Sequence, residues 1–319
     1  MTKSLLDLVL EGLPQPNEAG PAFYGAIDAN TWPHVQAIAN TCALPQQTPD
    51  PLEARLYLAA LARITQHWWN PFKYGPTGEY TDIPIVNQGT SYHGHNIAAL
   101  AVADDGRVVD FEMNHNEIFR SSAEHAESRL VRRMYQLANV HQTWNEITDE
   151  PFQTSRIKLD RITIYTTLQP CAQCAGIMTL AQVKSAVFLQ ADPGMYLADI
   201  LMRALSPGFL KAPMPLPASL FGIDAYRRLN EGYARFWQSG SPLWQGPDGP
   251  RGAQDITAYL CTNTAFQIFT SLAREFDDAA TAPRRHELWD NPDQLIDELR
   301  EFVAYACSPG AQRGAPHRV

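Results

Sequence analysis

The sequence predicts an α/β sandwich with helical additions at both ends, and three observations predict it. Strand-like runs rich in β-branched and small apolar residues cluster in the middle of the chain. Helices with apolar repeats at three and four residues alternate with them there. Both ends read as helix interrupted by proline-rich joints.

Residues 1 to about 80 are read as helical. The strongest segment is Pro51 to Trp69, where Tyr57, Leu61, Ile64 and Trp68 recur at spacings of 4, 3 and 4, one face of a helix. Pro71, Gly75, Pro76 and Gly78 then mark a loop and a boundary. Asn96 to Ala103 (NIAALAVA) reads as a buried strand. Asp104, Asp105 and Gly106 form a turn, and Arg107 to Met113 returns as a second strand. Ser121 and Glu124 fit an S-x-x-E capping box, and Ala126, Leu130, Met134 and Leu137 continue behind it as a helix face. Residues 139–160 are polar and read as irregular. Arg161 to Leu168 (RITIYTTL) has the composition of a strand, a helix follows from Cys171, and Ser185 to Leu189 is another short strand. Further on, Tyr226, Leu229, Tyr233 and Phe236 mark one helix. Asn291 and Pro292 open another, with Leu295, Leu299 and Phe302 behind them. The stretches 207–218 and 239–252 read as loops rich in proline and glycine. The expected division is a helical N-terminal region at 1–80, a central unit at 81–250 and a helical C-terminal extension at 251–319.

Composition narrows the class. With 45% hydrophobic residues the chain has ample material for a core, which excludes wholesale disorder. Twenty-five basic against 34 acidic residues leave a net charge of −9, so no global attraction to phosphate backbones or anionic membranes is expected. Five cysteines, scattered apart from one close pair, are not a disulfide framework. The first residues lack a signal-peptide layout and no apolar stretch reaches spanning length, so a cytoplasmic protein is expected.

Two short segments carry the chemistry: His125-Ala126-Glu127 at the start of a helix, and Pro170-Cys171-Ala172-Gln173-Cys174 where a strand hands over to a helix. Zinc accepts imidazole and thiolate ligands, and a catalytic zinc keeps a fourth position for water. Two cysteines three residues apart in a first helical turn point the same way, and the helix N-terminus favours their thiolate form. His125, Cys171 and Cys174 are therefore the expected ligands of a Zn²⁺ ion. Glu127 is free to work as general acid and base. The arrangement H-x-E…P-C-x-x-C is the signature of zinc nucleobase deaminases. A lone C-x-x-C reads more simply as a redox pair or two buried cysteines. The preceding proline, the strand-to-helix context and the upstream H-A-E together favour the metal.

At these residues the chain resembles the cytidine deaminase superfamily. Residues 159–190 (LDRITIYTTLQPCAQCAGIMTLAQVKSAVFLQ) are similar to the strand–PCxxC–helix–strand segment of the branch that holds tRNA adenosine, guanine and deoxycytidylate deaminases. Asn114, eleven residues before His125, stands where that family carries an asparagine contacting the ribose or base. The resemblance covers about residues 95–205 and implies a three-layer α/β/α unit with a mixed sheet of about five strands, which makes 81–250 a zinc deaminase domain. Gln169 departs from the glutamate that many relatives place before Pro-Cys, and the polar gap between Glu127 and Pro170 is long.

The expected activity is hydrolysis of the exocyclic amine of a nucleobase, as free base, nucleoside or nucleotide of cytosine or purine type, to a carbonyl with release of ammonia. A base within RNA or DNA is the rival substrate, and a non-catalytic zinc-binding interaction module the rival class. An intact Glu127 argues against the module. The fold class also admits a homo-oligomer. Of His93, His95 and His115, at most one is expected to line the pocket. The arginine clusters at 129–133, 227–235 and 284–285 read as solvated helix faces, and Trp237 and Trp244 read as core residues more readily than as a base-stacking platform.

Overall fold

A computed structural model describes residues 3–14, 30–71, 73, 93–147, 158–206, 210–239, 244–246, 249–251, 255–281 and 292–308. Helices α1 (Leu5–Val9), α2 (Trp32–Ala39) and α3 (Pro51–His67) precede the sheet. The α3 start follows from chemistry: Pro51 stands at the first helical position, and the Asp50 carboxylate accepts the N–H groups of Leu52 and Glu53.

Five strands, β1 (Ala98–Ala103), β2 (Val108–Met113), β3 (Ile162–Thr166), β4 (Ser185–Phe188) and β5 (Met214–Pro217), form one mixed sheet in the order β2-β1-β3-β4-β5. β1 runs antiparallel to β2 and β3, while β3, β4 and β5 run parallel. Helix α4 (Ala126–Ile147) joins β2 to β3, α5 (Ala172–Ala181) joins β3 to β4, and α6 (Ala198–Leu205) precedes β5. Then come α7 (Asp224–Gln238), a hairpin of β6 (Trp244–Gly246) and β7 (Gly249–Arg251), α8 (Ile256–Tyr259), α9 (Asn263–Thr281) and α10 (Pro292–Ala306).

Side-chain alternation along β3 shows the layers. Tyr165 meets Tyr57 of α3, with ring centroids 5.1 Å apart, whereas the Thr166 hydroxyl donates to Glu127 of α4. Successive strand residues point to opposite faces, so α3 and α4 cover opposite sides of the sheet. α9 and α10 pack against α3, and α5 and α6 pack together beside α4. This is the expected three-layer α/β/α sandwich with five strands, and buried side chains from Leu5 to Ala306 join in one core. No described helix is long and apolar enough to cross a membrane.

The structure departs from the sequence reading in four places. Helix α4 continues to Ile147, through residues read as irregular; NVHQTWNEI is polar but holds neither glycine nor proline to stop a helix. The stretch read as a loop at 207–218 contains β5. Its two prolines, Pro215 and Pro217, are tolerated because β5 is an edge strand with one neighbour to satisfy. The stretch 239–252 contains the β6–β7 hairpin. Ser121 does not cap α4: its hydroxyl accepts from Ala123, two residues on, and the helix begins at Ala126. The Arg284–Arg285 cluster lies outside the described residues, as does the side chain of Trp244.

Candidate active site

The site is assembled at the ends of β2 and β3 that face the starts of α4 and α5. β3 leads through Leu168 and Gln169 to Pro170. Cys171, extended at φ −70° and ψ 173°, occupies the N-cap of α5, and its carbonyl accepts the first helical N–H, from Ala175, at 2.8 Å. Cys174 follows in the first turn on the same side. On α4 the equivalent first bond runs from Arg129 to the His125 carbonyl, at 2.9 Å. The open N–H of Ala126 is taken by the side-chain oxygen of Asn114, at 2.7 Å. Gln173, between the two cysteines, stitches the helices together, its amide donating to the Ala123 carbonyl at 2.8 Å and to the Ser128 hydroxyl at 3.2 Å.

These starts bring the three expected ligands together. His125 Nδ1 lies 3.3 Å from Cys171 Sγ and 3.6 Å from Cys174 Sγ, and the two sulfurs are 3.5 Å apart. Bond lengths of about 2.3 Å to sulfur and about 2.0–2.1 Å to nitrogen place the donors of a tetrahedral zinc about 3.6–3.8 Å apart, so the observed triangle fits that ion within a few tenths of an ångström. It is the sole three-donor cluster of metal-binding type among the described residues. Hydrogen bonds from the Cys174 thiol and, behind it, from His125 pull Cys171 well below the usual thiol range against the effect of burial. A ligand that deprotonates readily suits a cation.

Glu127 sits beside this triangle, buried at 3% exposure. Its Oε1 accepts the Thr166 hydroxyl at 3.1 Å, and its Oε2 lies 3.3 Å from Cys174 Sγ. Burial first, and then the negative charge of Cys171, push this carboxyl above the usual range. Asn114 is also buried. Its oxygen is committed to α4, while its Nδ2 has no protein partner. Gly94 makes this possible: a Cβ there would stand 2.2 Å from the Asn114 carbonyl oxygen.

A cavity of about 350 Å³ opens over these groups, at the small end of the ~300–1,000 Å³ usual for small-ligand sites. His125, Cys171, Cys174, Glu127 and Asn114 all line it. Of the three histidines singled out upstream, His95 lines it and is held neutral, its pKa lowered to about 4, chiefly by burial. His115 is buried away from the cavity lining, packed against Phe119, and Asn116 holds the loop by accepting the His95 N–H.

Sequence reasoning missed two acids of this lining. Asp192 follows β4 and is fully enclosed. Burial, then the Cys171 charge, raise it to about 7. Its position just past the C-terminal end of a parallel strand, where α/β folds place ligands, was a usable signal. Asp255 enters from the N-cap of α8, and nothing local to it announces a pocket. Trp237, read as core, lines the cavity beside Tyr233. Gln169 is part of the lining and braces it, accepting the Asp192 N–H at 2.9 Å and donating to Asp199 at 2.6 Å.

Ion pairs hold Arg129, Arg132 and Arg133 of one arginine cluster and Arg227 of another. Arg129 and Arg133 are not solvated: both reach Glu112 of β2, at 3.1 and 2.8 Å, and Arg133 also pairs with Asp110 at 2.8 Å. Arg227 is paired with Asp224 and Glu231 on the surface of α7.

Residues 82–206 match the family model of the MafB19-like deaminases, close to the span 95–205 over which the sequence resembles the superfamily. Among solved structures, a chain from a study of A-to-I editing by tRNA:A34 deaminases at the wobble position of transfer RNA is similar. It shares 22% identity over 38% of this chain and 82% of that one, with a TM-score of 0.29. No curated protein matches the chain.

Proposed function

We propose, from a segment at 82–206 that belongs to the cytidine deaminase superfamily, that this protein is a zinc-dependent hydrolytic deaminase of a nucleobase. The observation that carries the reading is the placement of Glu127 Oε2 beside the His125–Cys171–Cys174 triangle, on the wall of a cavity of small-ligand size. The three donors would hold the ion, which supplies the Lewis acidity that makes a water acidic near neutral pH.

The chain's own residues do the rest. Thr166 anchors Glu127 through Oε1 and leaves Oε2 to move the proton. Oε2 accepts a proton from the attacking water and delivers it to the ring nitrogen next to the amine-bearing carbon. A second transfer, from the new hydroxyl to the amine, lets ammonia leave and the carbonyl form. Asn114 Nδ2, lacking a protein partner, is placed to donate to the base or sugar.

Small molecules are favoured over polynucleotides as substrates. The chain carries a net charge of −9, and Arg129, Arg133 and Arg227 of its arginine clusters are held in ion pairs, which weakens its pull on a phosphate backbone.

The test is product mass spectrometry on a panel of free bases, nucleosides, nucleotides and single- and double-stranded DNA and RNA, with bound zinc measured in the same samples. Amino-to-oxo conversion that disappears in Glu127→Ala, in protein that still carries zinc, is the expected result. A zinc-loaded protein that converts nothing on the panel would falsify the reading.

A further inference from the structure

One wall of the cavity comes from outside the deaminase segment. Tyr233 and Trp237 belong to α7, and Asp255 and Thr257 to the start of α8. Lys73, from the N-terminal part of the chain, reaches this wall and pairs with both oxygens of Asp255, at 3.0 and 3.1 Å, while also touching the Thr257 hydroxyl. Asp255 Oδ1 is further occupied by the Thr257 hydroxyl and the Ala258 N–H, each at 2.7 Å. Oδ2 accepts from Lys73 and retains capacity for another donor. The clamp fixes this carboxylate at the cavity, and the lysine, 14% exposed, is committed to it.

The wall has a charge pattern as well as a shape. Glu127, Asp192 and Asp255 all line the cavity, and no described lining residue is a lysine or arginine. Asn114, buried with its Nδ2 lacking a protein partner, supplies a donor from the opposite flank. Tyr233 and Trp237 add aromatic lining of the kind that suits a flat ring. A phosphate monoester, with a charge of about −1.5 to −2 near neutral pH, meets no cationic side chain among the described lining residues, and the nearby Lys73 is paired with Asp255.

We propose that this pocket takes an unphosphorylated substrate, a nucleoside or free base, and that Asp255 selects it by accepting a hydroxyl or N–H of the substrate and repelling a phosphate. The proposal rests on the deaminase reading above and deepens it. Asp255 is a specificity residue, contributed by the part of the chain that the family does not share.

Two variants with opposite expected effects separate this role from a structural one. In zinc-loaded protein, kcat/KM is compared for each nucleoside and its 5′-monophosphate. Dissociation constants for the same pairs are measured by calorimetry on Glu127→Gln, which is expected to bind without turnover. The nucleoside should win by about tenfold or more, the weight of one lost charge-assisted contact. Asp255→Asn should shrink that ratio severalfold, because the repulsion is gone and Lys73 is released. Lys73→Met should enlarge it, because the carboxylate loses its counter-ion. A monophosphate or an oligonucleotide preferred by the wild type overturns the proposal, as does a ratio that moves the same way, or not at all, in both variants. Preference for the nucleoside in binding to Glu127→Gln, with no turnover by the wild type, supports the selectivity and sinks only the deaminase chemistry.

Discussion

Asn114 has two tasks divided between its two side-chain atoms. The oxygen caps the first turn of α4, which carries His125 and Glu127, and the nitrogen faces the cavity without a protein partner. Asn114→Ala should therefore lose about 1 kcal/mol of stability from the cap and raise KM by about tenfold, the cost of one hydrogen bond to substrate. An unchanged KM in a correctly folded variant would remove Asn114 from substrate binding. Gly94→Ala should reproduce the KM effect while leaving the Asn114 side chain chemically intact, because the clash falls on its backbone. The added Cβ, 2.2 Å from the Asn114 carbonyl oxygen, forces the loop or the strand end to shift, at about 1–3 kcal/mol as for other overpacked sites. The residues proposed as ligands and acid–base group stand together in the sequence because each motif sits within one turn of one helix. Gly94 was not readable there, because its requirement comes from a strand end twenty residues away.

The elements that hold the site were readable where local pattern decides them. β3, the proline and the opening of α5 follow directly from RITIYTTLQPCAQC, and the strand pair β1–β2 from its Asp-Asp-Gly turn. Two features escaped because tertiary structure overrides local composition. β5 carries two prolines and is a strand only by virtue of its edge position beside β4. The start of α4 looks like a capping box but is capped from β2's end by Asn114. What seats α4 on β2 is ionic: Arg129 and Arg133 against Glu112 and Asp110, with both acids 4% exposed. Replacing Arg133 by Met leaves two buried carboxylates short of a partner and should cost about 3–5 kcal/mol, read as a lower midpoint in urea unfolding. A midpoint within experimental error of the wild type would mean that apolar packing alone seats the helix.

Over the whole molecule, the cavity depends on residues scattered from His95 to Thr257, and this is why its lining was the least readable part of the sequence. Asp192 and Asp255 meet Glu127 only in the folded chain. The buried acids also make stability depend on pH in an unusual direction. Burial raises Asp199 to about 7, the Gln169 amide lowering it in part, from an ordinary value of 3.8. A raised carboxyl contributes its full stability below the unfolded value, and that contribution is lost as pH rises through the folded one. Unfolding free energy should therefore decline between about pH 4 and pH 7 from this group. Asp199→Asn should match the wild type near pH 4 and exceed it at pH 8, by on the order of 4 kcal/mol. Denaturant titrations at the two pH values decide it; equal offsets at both would show that Asp199 is not titrating as described.

The clasp between Lys73 and Asp255 also sets an order of events during synthesis. His125, Cys171 and Cys174 have all left the ribosome by the time residue 174 has emerged, about eighty residues ahead of Asp255. Throughout that interval the donors for the ion are present and the far wall is not. An ion held by these donors would have access before the far wall exists, and the stretch around residues 233–257, emerging later, then narrows the opening.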